Sequence, residues 1–217
     1  AHGRSPFLAV RTLRLVTPVL VYTGVWTLLL LPFAGMAPLV GSAGSFLSQL
    51  LWFAGVYLLV VAAVPLTIRW IPHPLVTTAL WFAAVAAVDV IRISGGPDAI
   101  SWLNLLLVWG LMHQIGYHLP RLRQVRAPVL MLSSAAAIAS ALTLAAAGPY
   151  SGSLISVGTD TELSNLAPPS IVLALYGLGQ ILLLAALWPL ADRALRHDRL
   201  WAAVAVVGAR GMGIYLW

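Results

Sequence analysis

The chain has 217 residues, of which 61% are hydrophobic, 8% are charged and none is cysteine. An ordinary soluble domain is about 45–50% apolar, so folding in water alone cannot hide this much apolar surface, and disulfides, thiolate catalysis and cysteine-ligated metals are excluded. The net charge of +6 comes from twelve arginines in short clusters beside apolar runs; this is the pattern of membrane topology and not of a phosphate-binding groove, so no nucleic-acid partner is expected.

Seven apolar segments follow in chain order: residues 15–33, 50–68, 75–91, 102–119, 128–147, 171–190 and 200–217. A hydrocarbon core of about 30 Å needs about 20 such residues in a helix. The pattern therefore predicts an all-α, polytopic transmembrane helix bundle forming one domain over residues 1–217. A β-barrel is excluded because its strands alternate in polarity over about 10 residues, whereas these runs are apolar on all sides.

Arg4, Arg11 and Arg14 precede the first segment, Arg69 and His73 follow the second, Arg121, Arg123 and Arg126 follow the fourth, and Arg193, Arg196 and Arg199 follow the sixth. The loops between are poor in arginine. The positive-inside rule then puts Ala1 in the cytoplasm and Trp217 outside, in a multi-pass protein of the plasma membrane. The long loop 148–170 is external on this reading; with Ser151, Ser153, Asp160, Glu162, Ser164 and Asn165 it is either a solvated connection or a surface that meets an extracytoplasmic substrate. The chain starts at Ala1 without methionine or signal peptide and stops at Trp217 within an apolar run, so it reads as the middle of a longer protein.

Ionisable and amide side chains inside spans are costly, which marks each as a functional candidate. His113 and Gln114 lie in Met112-His-Gln-Ile-Gly-Tyr117, where one turn places His113 and Tyr117 on the same face. The imidazole there acts either on a substrate or as an interhelical hydrogen bond. Asp89 and Arg92, three apart, can pair along one helix face. Gln180 and Arg210 are lone polar residues of the sixth and seventh segments. Arg11 and Arg14 present two guanidinium groups on one face, a geometry for a phosphorylated ligand or for a simple topological anchor. No Walker, Rossmann or zinc-site spacing occurs, and no metal is expected.

Five stretches resemble the acyltransferase-3 family of integral membrane acyltransferases, in its actinobacterial-type branch. They are Phe7-Leu-Ala-Val-Arg-Thr-Leu-Arg-Leu-Val-Thr-Pro18, Leu51-Trp-Phe-Ala-Gly-Val-Tyr57 followed by Pro65, residues 109–117 with His113 and Gln114, Ser164-Asn-Leu-Ala-Pro-Pro169, and Met212-Gly-Ile-Tyr-Leu-Trp217. The resemblance implies a fold of about ten spans, with two before Ala1 and one after Trp217. It also implies transfer of an acyl group, acetyl in the first instance, from cytoplasmic acyl-coenzyme A to a hydroxyl of a cell-surface glycan or lipid-linked sugar. Arg11 and Arg14 would bind the donor, and His113, Gln114 or Trp52 would support the chemistry. Acyl-coenzyme A is a co-substrate, and no cofactor is implied. The family's general-base histidine, in an Arg-x(10)-His motif, has no counterpart in these residues. The alternatives are a transporter or channel fragment lined by Asp89, Arg92, His113 and Arg210, or a truncated family member without activity, which the missing histidine keeps open.

Overall fold

In a computed structural model, residues 4–70, 72–153 and 165–216 are described, and among them the chain is helical with no strand. The helices are α1 (Arg4–Leu30), α2 (Ala37–Thr67), α3 (Pro74–Ile93), α4 (Asp98–Ser101), α5 (Leu103–Gly116), α6 (Leu119–Leu122), α7 (Ala127–Ala147), α8 (Ile171–Leu195) and α9 (Asp198–Leu216). Helices are what such a sequence must form in lipid, because each backbone N–H and C=O has to be satisfied within the segment.

Among the described residues five helical stretches are long and apolar enough to cross a membrane: Val16–Phe33, Pro74–Ile93, Asp98–Gly116, Ala127–Ala147 and Ile171–Leu195. They coincide with the first, third, fourth, fifth and sixth of the expected segments. The second expected segment falls on the second half of α2, which includes the apolar stretch Ala54–Thr67. The seventh corresponds to α9, which starts on Asp198 and Arg199 and bears Arg210.

The chain divides into two compact units. In the first, residues 1–58 and 194–217, α1 packs on α9. Tyr22 is buried there and meets Trp26 edge to face at 6.4 Å.

The second unit, residues 59–193, holds the best-defined core, in which Val85 of α3, Val108, Leu111 and Ile115 of α5 and Ala174 of α8 come together. Small residues let these helices approach closely. A Cβ on Gly110 would stand 2.7 Å from the Trp81 ring of α3, and one on Gly179 would stand 2.5 Å from Ile138 of α7. The Ser134 hydroxyl of α7 donates to the Gly179 carbonyl at 2.7 Å, so a hydrogen bond reinforces the glycine contact.

The end of α3 has a specific local cause. Gly95 adopts φ +80°, its N–H donates to the Arg92 carbonyl, and the Gly96 N–H reaches back to Ile91 at 2.9 Å. This is the Schellman arrangement, which needs a residue in the left-handed region just past the helix. It turns the chain into α4 and α5, so that Asn104 returns beside Asp89.

Candidate functional site

Two polar groupings mark the second unit, one at each end. At the first, the Asp89 carboxyl is completely buried. Asn104 Nδ2 donates to its Oδ1 at 2.9 Å, the Ile171 backbone N–H donates to its Oδ2 at 2.8 Å, and the Tyr150 hydroxyl donates to it as well. Arg92 Nη2 stands 3.9 Å away, and its guanidinium lies over the Tyr150 ring at 5.9 Å. The Ile171 N–H is one of the orphan donors at the start of α8, and a carboxyl there also meets the positive end of the helix dipole. One side chain of α3 thus fixes the start of α8.

The connection from α7 to α8 is knitted to the same place. Asn165 donates through Nδ2 to the Ser151 carbonyl at 2.6 Å and to that of Ser153 at 3.2 Å, while its Oδ1 accepts from the Ser170 hydroxyl at 2.8 Å. Leu166 and Pro169 pair across a turn that contains the cis Ala167–Pro168 bond. The polar residues of this loop that are described therefore serve the chain's own backbone. Asp160, Glu162 and Ser164 lie outside the described residues.

Burial, and then the Asp89 carboxyl beside it, push the Tyr150 hydroxyl up to about 12, with Arg92 acting the other way. Because this value lies above the ordinary 10.0, the stabilisation is full below pH 10 and is lost as pH rises through about 12. We expect thermal stability to fall across that window and the fall to flatten in Tyr150→Phe. An unchanged alkaline slope in Tyr150→Phe would assign the loss to another group.

The second grouping lies on α5 and the turn after it, about 15 Å along the helix axis from Asn104 at 1.5 Å per residue. Gln114 is 0% exposed and His118 5%, and they sit one turn apart on the same face. Neither amide atom of Gln114, neither ring nitrogen of His118 nor the Tyr117 hydroxyl has a hydrogen-bond partner among the described residues. These atoms are buried. His113 is half-buried, and its ring meets Tyr117 edge to face at 4.9 Å. At this end Arg123 lies 4.0 Å over the Trp188 ring, bringing the arginine-rich turn to the last part of α8.

The structure pairs Asp89 with Arg92 and sets the His113 ring against Tyr117, but keeps the two pairs apart. Gln180 is exposed on α8, Arg210 is exposed on α9 in the first unit, and Trp52 is half-buried on α2. The side chains of Arg11 and Arg14 lie outside the described residues. Sequence reasoning passed over Asn104, Tyr150 and His118. The first was readable as a lone amide among Trp102, Leu103 and Leu105, whereas nothing local marks Tyr150 as a partner of Asp89. Among the described residues no three histidine or acidic side chains gather as a metal site. No protein-family model, no curated protein and no solved structure matches the chain.

Proposed function

We propose that this chain is the seven-span core of a membrane acyltransferase of about ten spans, which moves an acyl group from cytoplasmic acyl-coenzyme A to a hydroxyl of a cell-surface glycan or lipid-linked sugar. The observation that carries this reading is the buried amide of Gln114, unpaired among the described residues, together with His118 and the neighbouring His113. An unpaired buried polar group costs about 1–3 kcal/mol, which packing alone gives no reason to bear. It falls within residues 109–117, one of the stretches that resemble the family. On this reading Gln114 or His113 offers a hydrogen bond to the thioester carbonyl as it becomes tetrahedral. The general base comes from outside residues 1–217. Arg11 and Arg14 bind the donor phosphates at the cytoplasmic rim.

A transporter lined by Asp89 gains no support from its surroundings, since Asn104, Ile171 and Tyr150 already occupy that carboxyl.

The test is acyl transfer by the full-length protein. Arg11→Ala or Arg14→Ala should raise the KM for acyl-coenzyme A more than Arg4→Ala does, through loss of a charge-assisted contact of roughly 1.5–3 kcal/mol. Lysine at either position should rescue only in part, for want of the planar fork. Equal, small effects at all three positions would reduce these arginines to topological anchors.

The same reading sets the orientation, with Ala1, the turn around Arg123 and the turn around Arg196 cytoplasmic and Ser153 external. A single cysteine placed at each of these positions in this cysteine-free chain should react with an impermeant reagent on intact cells only at Ser153. Labelling at Arg123 and not at Ser153 would invert the topology.

A further inference from the structure

Where α6 leads into α7 and α8 ends, the second unit carries Arg121, Arg123, Arg126 and Arg193. Among the described residues the acid at this end is Asp192, since Asp89 and Asp98 lie at the other end with Asn104. Arg121 and Asp192 have partners, whereas the guanidinium groups of Arg123, Arg126 and Arg193 make no hydrogen bond or ion pair among the described residues.

Packing brings two of these cations together. The Arg123 guanidinium lies 4.0 Å over the Trp188 ring of α8. Stacked in this way, it uses its face on the π-system and keeps the N–H donors of its edge free. The helices α7 and α8 run antiparallel: Ser134 meets Gly179, and Leu130 packs with Ala185 and Ala186. Arg126, one turn before Leu130 on the same face of α7, therefore comes level with residues 188–190. The Trp188 Nε1–H is a further donor with no acceptor among the described residues. What this place lacks is an anionic acceptor.

The protein does not hold the missing charge elsewhere. The first unit brings six arginines and one acid, Asp198, so it deepens the excess, and a second copy of the chain has the same deficit. The membrane can supply it. Beyond the arginines, towards the middle of the membrane, Val129 and Leu132 of α7 and Leu184 and Leu187 of α8 are exposed. An anion that carries apolar tails meets both surfaces at once. A zwitterionic lipid fits less well, because its own ammonium has to be placed among guanidinium groups.

We propose that Arg123, stacked on Trp188, and Arg126 bind the phosphodiester of an anionic phospholipid whose acyl tails lie along α7 and α8. This site is independent of the acyltransferase reading, because it needs neither an acyl donor nor an acceptor.

The test is native mass spectrometry of the protein in a non-ionic detergent, titrated with phosphatidylglycerol or phosphatidylcholine. A single phosphatidylglycerol should stay bound at about a tenth of the concentration that phosphatidylcholine requires. Arg123→Gln and Arg126→Gln should each weaken its retention about tenfold. Trp188→Leu, which removes the platform and leaves both charges, should weaken it about threefold. Arg4→Gln, an equal loss of charge in the first unit, should have no effect. Arg123 and Arg126 are exposed, so the melting temperature without lipid should stay unchanged in their variants, which separates lost binding from a lost fold.

Equal retention of the two lipids, or equal weakening by Arg4→Gln, would reduce the arginines to diffuse attraction for a charged membrane and overturn the proposal. Displacement by glycerophosphoglycerol, the same headgroup without tails, at the concentration at which the lipid itself competes would assign these arginines to a soluble phosphate and overturn it as well.

Discussion

Asp89→Ala is expected to cost about 3–5 kcal/mol, the range for breaking a buried ionic pair by removing one partner. The substitution strands the Arg92 guanidinium, the Asn104 amide and the Ile171 N–H at once. Since a whole domain is stable by only about 5–15 kcal/mol, this one change should remove a large share. Asp89→Asn keeps the shape but puts a donor where two donors already point, so it should recover only part of the loss. Arg92→Ala should cost less than Asp89→Ala, because the carboxyl keeps three other donors. Reversible unfolding in mixed micelles, followed by near-ultraviolet circular dichroism of the nine tryptophans, measures all three. If Asp89→Ala unfolded like the parent chain, the hydrogen bonds to Asn104 and Ile171 could not be what fixes the start of α8.

The second large effect runs in the opposite direction. Gln114→Leu should stabilise the chain by about 1–3 kcal/mol, because it replaces a buried amide lacking partners with an apolar group of similar volume. In the full-length protein the same change should lower kcat for acyl transfer; a hydrogen-bond donor aimed at developing oxyanion charge is worth about 10²–10³ in rate. Gain of stability with loss of activity is the signature of a residue kept for function. A destabilised Gln114→Leu would show instead that the amide finds partners in the folded membrane protein, and the main support for the proposed site would go with it.

The all-helical architecture was legible because hydrophobicity is averaged over many residues. Among the described residues five of the seven expected segments are helices able to span a bilayer, and the other two fall on α2 and α9. The Asp89 and Arg92 pair was legible because it is local, set by the helix repeat alone. What that pair joins was not. Asn104 arrives through the glycine turn at Gly95, and Ile171 contributes a backbone group that carries no sequence signal. The burial of Gln114 was equally hidden, since it depends on the helices packed around it and not on its neighbours in the chain.

The Asp89 contact also has a schedule. Its partner at Ile171 is 82 residues downstream, which at 5–20 residues per second of synthesis means a delay of roughly 4–16 s. During that interval the carboxyl is already within a helix bound for the bilayer, while α8 has not left the ribosome. Arg92 is made with the same helix, and Asn104 follows only 15 residues after Asp89. These two therefore act first as chaperones in cis, holding the acid in hydrocarbon until the start of α8 is delivered, and only afterwards as parts of the finished knot.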